Sequence, residues 1–327
     1  MRVSLGFYTN AAASELVRLG VLADELGYDC LWTTDSHLIW REPYVTLGAI
    51  AARTSRIRLA TSVTNPLTRH LTVTASALYT LAEVSGGRAV LGISVGDSSL
   101  KTMGLRTATV DRLEAAIGNL RQLLAGEAVA VPGGTTARLT YGGEQRVPIY
   151  VAATAPRLLR LAGQVADGVI LMNGVAPELI GAALDLVAEG ARSAGRDPAT
   201  VESVVWAGCC ASTSDPAAAL AAVKYNVARA IQRAIPGPVD ALTREVAERV
   251  RAHYDYYHHG DATAGFAELI PDELVPRYTF AGTPDQIAGQ IQALAALGVG
   301  EVALAIPDAP NIPSRESVIR ALAPLAG

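Results

Sequence analysis

Two side chains that could exchange protons lie close together early in the chain, at Asp35 and His37. Histidine titrates near neutral pH and a neighbouring carboxylate can fix its tautomer, so the spacing predicts an acid–base pair. On sequence alone, His37 could equally complete a surface loop. Both residues follow the apolar segment 29–33, whose composition predicts a β-strand. The pair would therefore lie at the carboxyl end of a strand, where parallel α/β enzymes bind their ligands.

Polar and glycine residues follow several later strand-like segments as well. These residues occupy 62–70, 96–99, 153–156 and 173–174. Because the carboxyl ends of parallel strands meet at one edge, we expect Asp97 and these segments to share one ligand site with Asp35 and His37. Short loops between strands and helices are rich in such residues in any case. The expectation therefore depends on their recurrence at successive strands.

Eight apolar strand-like segments alternate with helical patterns along the whole chain. They cover 3–8, 29–33, 57–61, 89–95, 147–152, 168–172, 201–211 and 300–306. Such alternation requires parallel crossovers, and it predicts an α/β fold, a single (β/α)8 TIM barrel over residues 1–327. A doubly wound open sheet is the alternative. Glycine pairs near 129–146 predict a hairpin excursion, and the strandless stretch 215–278 predicts a helical insertion before the last strand.

Composition limits the classes of function. Half of the 327 residues are hydrophobic and 18% are charged, which predicts a large core and excludes global disorder. The net charge is -4 without a basic run, so binding to nucleic acid or to an anionic membrane has little electrostatic support. No run approaches the roughly 20 apolar residues of a membrane span. We expect a soluble, cytoplasmic protein that binds a small molecule.

The cysteines and the clustered histidines do not predict a metal site or a disulfide framework. Cys30, Cys209 and Cys210 lie in apolar segments and are expected to be buried, unreactive thiols. His253, His258 and the adjacent His259 contain no pair at i,i+4, so we expect no metal there.

The segment before Pro156 predicts a helix whose first N–H groups lack a side-chain acceptor. Ala155 occupies the expected N-cap position, and alanine cannot accept a hydrogen bond there. Thr154, solvent or a bound phosphate could satisfy these donors. Neither a Walker A loop nor a GxGxxG motif follows the first predicted strand, so nucleotide-binding folds of those kinds are not supported.

Four segments together resemble the bacterial-luciferase-like superfamily. They read WTTDSHLIWREPYVTLGAIAARTSRIRLATSVTNPLTRH, GRAVLGISVGDSS, IYVAATAPRLLRLAGQVADGVIL and FAGTPDQIAGQI. The resemblance is closest to the coenzyme F420-dependent oxidoreductases of the methylenetetrahydromethanopterin reductase type. It covers most of the chain, and residues 129–146 and 215–277 contribute least to it.

The resemblance implies a (β/α)8 barrel, often a homodimer, with a flavin-like ring over the barrel mouth. It implies a non-prolyl cis peptide behind the ring at Ser62-Val63. By the same resemblance Asp35 and His37 face the ring, Asp97 points into the site, and all three are catalytic candidates. The implied cofactor-binding residues are Ser36, Ser62, Val63, Thr64, Asn65, Gly96, Ala153, Thr154, Ala155 and Gly174.

The implied activity is hydride transfer between the deazaflavin coenzyme F420 and a small organic substrate. His37 would donate or accept the accompanying proton, and Asp35 would hold His37. The family often has Asp directly followed by His, whereas Ser36 intervenes here. Alternatives are an FMN-dependent monooxygenase that uses oxygen and a separate reductase, and a non-catalytic flavin-binding barrel. Substrate determinants are expected within 215–278.

Overall fold

Eight parallel strands close into a barrel. The structure is a computed structural model that describes residues 1–131, 134–237, 239–308 and 312–326. The strands are β1 (Arg2–Phe7), β2 (Cys30–Thr33), β3 (Arg58–Thr61), β4 (Ala89–Ile93), β5 (Val129–Val131), β6 (Thr135–Ala137), β7 (Ile149–Ala153), β8 (Gly168–Leu171), β9 (Glu202–Ala211), β10 (Phe280–Gly282) and β11 (Glu301–Ile306). The barrel runs β1-β2-β3-β4-β7-β8-β9-β11, and β11 pairs with β1. The closure confirms the TIM barrel and excludes the open doubly wound sheet.

Helices connect and surround these strands. They are α1 (Ala13–Glu25), α2 (Pro43–Ala51), α3 (Leu71–Ser85), α4 (Ser98–Lys101), α5 (Val110–Leu124), α6 (Pro156–Val165), α7 (Pro177–Ser193), α8 (Pro216–Ala222), α9 (Lys224–Ile231), α10 (Ala241–His253), α11 (Val275–Tyr278), α12 (Pro284–Ala296) and α13 (Arg315–Leu322), with 3-10 turns at Pro198–Thr200, Tyr256–His258, Gly265–Leu269, Asp272–Leu274 and Ala323–Leu325. A capping box begins α12: Thr283 N–H donates to Gln286 Oε1 at 2.8 Å, and Gln286 N–H donates to Thr283 Oγ1 at 3.3 Å. In the described residues, no helix is both long and apolar enough to cross a membrane.

The strands are apolar throughout because both of their faces are covered. Side chains on one face fill the barrel and those on the other pack under the helices, so strands such as β4 and β7 are buried at every position. Cys30, Cys209 and Cys210 are buried, as predicted. Burial raises the pKa of Cys210 to about 12, which keeps its thiol protonated and unreactive at neutral pH.

A buried carboxylate lies at the amino-terminal end of the barrel. Glu301, at the start of β11, is fully buried. Its Oε1 accepts from the Trp32 indole at 2.7 Å, and its Oε2 accepts from Arg58 at 2.6 Å and from Arg2 at 3.3 Å. The charge is compensated and hydrogen-bonded by three partners on β1, β2 and β3, as a buried charge must be. This network therefore ties β11 to these three strands at the amino-terminal end of the barrel.

Two excursions interrupt the regular alternation, as the glycine pairs and the strandless stretch predict. The strands β5 and β6 pair as an antiparallel hairpin, although Pro132 and Gly133 at its predicted turn lie outside the described residues. Helices α8 to α11 form the helical insertion. The sequence reading misses β10, which pairs with the end of β9, because three residues are too few to show a strand pattern. The ladder sets Ala211 beside Gly282, and Ser212 N–H donates to Gly282 O at 2.9 Å.

Candidate active site

A cavity of about 300 Å³ opens at the carboxyl ends of the barrel strands. It is lined by Thr34, Asp35, Ser36, Trp40, Ser62, Val63, Ser94, Val95, Gly96, Asp97, Ser98, Ser99, Ala152, Ala153, Thr154, Ala155, Leu158, Met172, Arg229, Arg233, Ala234 and His259. Segments that follow β2, β3, β4, β7 and β8 therefore meet in one wall, as their positions after predicted strands indicate. The remaining wall comes from the helical insertion, namely from α9, from the residues just after it and from His259 after α10.

Most of the side chains proposed from the sequence lie in this wall. They are Asp35, Ser36, Ser62, Val63, Gly96, Asp97, Ala153, Thr154 and Ala155. The peptide bond between Ser62 and Val63 is cis, at the position that the family resemblance implies. His37, Thr64, Asn65 and Gly174 are not part of this wall.

The Asp35 carboxylate is held by an arginine. Arg69, in the loop before α3, donates from Nη1 to Asp35 Oδ2 at 2.5 Å and from Nη2 to Asp35 Oδ1 at 3.1 Å. Arg69 also donates to Glu42 Oε1 at 2.7 Å and stacks over the ring of Tyr44. This two-point pairing fixes the orientation of the carboxylate. The prediction that Asp35 holds His37 is therefore wrong.

His37 lies on the outer surface. A turn follows Ser36, whose carbonyl oxygen accepts from Ile39 N–H at 2.8 Å and from Trp40 N–H at 2.9 Å. The turn directs Ser36 and Trp40 inward and leaves His37 exposed between them. The spacing of Asp35 and His37 does not reveal this, because the turn determines which of these two side chains faces the barrel. The structure thus does not bring His37 to the cavity.

Serine and asparagine side chains organise the wall near β4. Ser36 Oγ and Ser98 Oγ are 2.7 Å apart and buried. Asn65 donates to Ser99 Oγ at 3.0 Å, and its Oδ1 accepts from Thr68 N–H at 3.0 Å, so it supports the wall from behind. Thr64 is also set behind the wall and links β3 to β4: its N–H donates to Gly92 O at 3.0 Å.

Two further residues predicted from the sequence, Asp97 and Gly174, contact the helical insertion. Asp97 forms an ion pair with Arg233, which lies two residues after the end of α9, and this pair joins the loop after β4 to the helical insertion. Gly174 has a φ of 102° and packs against α11. A Cβ at Gly174 would lie 2.7 Å from Arg277 O and 2.9 Å from Tyr278 Cδ1, so a larger residue does not fit. Gly174 borders a small neighbouring void, and packing explains its identity.

The first turn of α6 leaves backbone donors at the cavity. Ala155 is the N-cap and makes no side-chain capping bond, as predicted, and Thr154 supplies no such bond in the structure. Ala155 and Leu158 both line the cavity. The partial positive charge of this helix end, together with its N–H groups, can bind an anion.

His259 is the histidine in the cavity wall. It is 2% exposed, and its ring centroid lies 5.9 Å from that of Trp40. The Tyr254 hydroxyl is 2.5 Å from its Nδ1. Burial, together with the nearby guanidinium groups of Arg229 and Arg233, holds the pKa of His259 well below its usual value. The ring is therefore neutral at pH 7, and when the hydroxyl donates to Nδ1 the proton of the ring lies on Nε2.

Sequence reasoning missed Arg229, Arg233 and His259. Arg229 lies on α9 and Arg233 lies two residues after its end. Their spacing of four residues places two side chains on one face of a helix, and it was a detectable signal. His259 lies in the tyrosine-rich stretch after α10, where no local pattern distinguishes a cavity residue from ordinary packing. Within the described part of the chain, no group of three or more potential ligand side chains could hold a metal ion.

Comparison with known proteins gives consistent matches over nearly the whole chain. The family model for luciferase-like monooxygenases matches residues 1–301. The 5,10-methylenetetrahydromethanopterin reductase of Methanolobus tindarius is 32% identical over 322 residues, which span 95% of this chain and 96% of the relative. An F420-dependent glucose-6-phosphate dehydrogenase of Microbacterium testaceum is 35% identical over 212 residues, 59% of this chain and 62% of the relative.

A solved structure extends the likeness to three dimensions. The coenzyme F420-dependent tetrahydromethanopterin reductase of Methanopyrus kandleri superposes with a TM-score of 0.77 at 25% identity. The match covers 99% of this chain and 98% of the other. The likeness therefore includes the barrel and the helical insertion that form the cavity.

Proposed function

This chain belongs to the luciferase-like monooxygenase family, and on that premise we propose that it is a coenzyme F420-dependent oxidoreductase. It would transfer a hydride between the deazaflavin and a small organic substrate, both bound in the cavity at the barrel mouth. Two proteins that match most of its length support this: the Methanolobus tindarius relative is named a reductase, and the Methanopyrus kandleri structure is named a coenzyme F420-dependent reductase. The observation that carries the proposal is a cavity that joins an uncapped helix N-terminus to a wall of small residues.

The residues present fit a planar ring with a phosphate tail. Val63, Val95 and Ala153 give the wall small apolar side chains, against which an aromatic ring can pack. The buried Ser62 Oγ has no hydrogen-bond partner among the described residues, so a polar atom of a ligand could satisfy it. The free N–H groups at the start of α6 would take the phosphate.

These positions suggest how the chain would hold the cofactor. Ser62 and Val63 would lie behind the ring, while Ala153, Thr154 and Ala155 would contact the tail. Ser36, Gly96 and Asp97 would border the space for ring and substrate. Thr64, Asn65 and Gly174 would act through the backbone positions that they support. When bound, a deazaflavin carries two electrons as a hydride, so the protein must orient the reactants and manage a proton.

We assign the proton role to His259 and not to His37. The His259 ring borders the cavity, and the Tyr254 hydroxyl occupies its Nδ1, which leaves Nε2 for a ligand. A neutral imidazole can donate a proton from Nε2 or, in the other tautomer, accept one there. Trp40, packed beside the ring, restricts its motion and excludes water. The Asp35 carboxylate, already paired with Arg69, would shape the wall and would not take part in proton transfer.

A cofactor titration tests the proposal. The purified protein should bind F420 with a saturable change in the cofactor's absorbance and fluorescence. Addition of candidate reductants, or of oxidised substrates to reduced F420, should then change its redox state catalytically. Tight FMN binding with oxygen uptake would instead indicate a monooxygenase. Binding of either cofactor without turnover of any tested substrate would indicate a non-catalytic flavin-binding barrel.

A further inference from the structure

Arg229 is a buried cation that has no carboxylate partner among the residues that the structure describes. It lies on α9 and is 6% exposed. Its Nη1 donates to the Tyr8 hydroxyl at 2.7 Å and lies 3.5 Å from Asn226 Oδ1, and both of these partners are neutral. Its Nε has no hydrogen-bond partner among the residues that the structure describes. Since arginine remains protonated in proteins, this charge is buried without compensation.

Two aromatic rings fix the orientation of this guanidinium group. Its carbon lies 5.3 Å from the ring centroid of Tyr8 and 5.4 Å from that of Trp206. These two rings meet edge to face, with centroids 5.7 Å apart. Cation–π contacts stabilise the charge partly but leave its N–H donors available. The group is therefore held in place before any ligand arrives, as a recognition residue should be.

The other charged groups in the cavity wall already have partners. Asp35 pairs with Arg69, and Asp97 pairs with Arg233. Arg229 borders both the cavity and a void of about 20 Å³ beside it, so a ligand in the cavity can reach its guanidinium group. Among the described residues, no carboxylate pairs with Arg229, so a negatively charged group of a ligand could pair with it.

We propose that Arg229 binds an anionic group of the substrate, a carboxylate or a phosphate, and so orients the substrate in the cavity. The proposal rests on the proposed function, which provides a second reactant beside the cofactor. The uncapped helix N-terminus that suits the cofactor phosphate belongs to α6, whereas Arg229 belongs to α9 of the helical insertion. His259, from the same insertion, lies in the same wall. The anion site and the proton group therefore come from one part of the chain.

Tryptophan fluorescence provides a test that needs no cofactor turnover. Trp206 contacts Arg229, so formate titrated into the cofactor-free full-length protein should change the emission saturably. In Arg229→Gln the apparent Kd for formate should rise at least about tenfold, because a charge-assisted hydrogen bond is lost. The control Arg112→Gln removes an exposed arginine of α5 and should leave the titration unchanged.

Three results would overturn the assignment. The first is a wild-type response to formate that does not saturate, and the second is an unchanged formate affinity in Arg229→Gln. The third is competition between formate and F420, which would place the anion at the cofactor's position. Arg229→Lys serves if the glutamine variant does not fold. Lysine keeps the charge but loses the planar pair of donors, so its formate affinity should fall, and an unchanged value would overturn the proposal. Failure of F420 to bind would reject the proposed function while leaving the formate result interpretable.

Discussion

His259 and His37 are a matched pair for testing which histidine handles the proton. His259→Gln should lower F420-dependent kcat by about 100-fold or more, because glutamine cannot transfer a proton. In the direction that requires a base, the wild-type kcat/KM should fall at acidic pH as His259 becomes protonated, and the variant should lack this limb. Rate measurements over a pH series check both outcomes.

His37→Gln is the control for that prediction. Its side chain is exposed and outside the cavity wall, so kcat and the pH profile should match those of the wild-type protein. Equal losses in both variants would point to an indirect effect through the loop that follows β2. A loss confined to His37→Gln would return the proton role to the residue that the sequence favoured.

The same burial of His259 makes stability depend on pH. Its pKa is lowered in the folded protein, so the unfolded chain binds a proton below about pH 6.5 that the folded chain does not. Folding therefore weakens as the pH falls below about 6.5, and this group does not affect it well above that pH. Urea unfolding at pH 5.5 and at pH 7 should show this pH dependence in the wild-type protein and not in His259→Gln. Equal pH dependence in the two proteins would contradict it.

The residues of the cavity wall differ in how far the sequence predicts them. Ser62, Asp97 and Ala155 directly follow predicted strands, so the barrel topology alone brings them together. The orientation of His37 depends on a turn, and the pairing of Asp35 depends on Arg69, which is distant in the chain. Arg229 and His259 reach the cavity from the insertion by packing, a non-local event that no local pattern encodes.

At the scale of the element, the start of α6 offers a test of cofactor binding. Ala155→Asp should cap the helix and stabilise the cofactor-free protein by about 1 kcal/mol. It should also weaken F420 binding at least about tenfold, because its carboxylate would occupy the donors and repel a phosphate. Thermal unfolding and F420 titration measure the two effects.

Helix α1 supplies a control for the cap itself. Its N-cap, Ala12, also makes no side-chain capping bond, and it is exposed. Ala12→Asp should therefore give a similar gain in stability and leave F420 affinity unchanged. If both variants bind F420 as the wild type does, the α6 terminus does not hold the cofactor tail.

Helices and strands are predicted correctly from the sequence where their hydrophobic patterns are long. Apolar residues at helical spacing predict helices over 14–26, 109–124 and 177–194. The ends of α1, α5 and α7 lie within one residue of these bounds. The four-residue α4 and three-residue β10 are too short for any periodicity, and tertiary pairing determines them. The sequence therefore predicts the scaffold better than the short elements that finish the mouth of the barrel.

At the scale of the whole molecule, stability and ligand binding are assigned to different ends of the barrel. Glu301→Gln should lower the free energy of unfolding by about 3 kcal/mol, since it leaves Arg58 and Arg2 without their buried partner. It should leave F420 affinity unchanged, because Glu301 lies at the amino-terminal end of the strands. Chemical denaturation and cofactor titration check the two expectations.

The surface carboxylate Glu316 provides the control for Glu301→Gln. Glu316 pairs with Arg18 and Arg320 on the surface, so Glu316→Gln should leave the free energy of unfolding nearly unchanged. If Glu301→Gln costs no more than this, the buried network does not stabilise the barrel in the way argued. A loss of F420 binding in a folded Glu301→Gln protein would contradict the separation of the two ends.

The pairing of β10 with the end of β9 has a consequence for how this chain could diversify. Ala211 and Gly282 are neighbours in one ladder, so the insertion leaves and re-enters the scaffold at almost the same point. Segments with adjacent ends can be exchanged between proteins without moving their surroundings. Because α9 and His259 lie within it, transplanting residues 213–279 from a relative would exchange the proposed anion and proton groups together. The barrel and the start of α6 would be inherited unchanged, so new substrates could be acquired while the cofactor is kept.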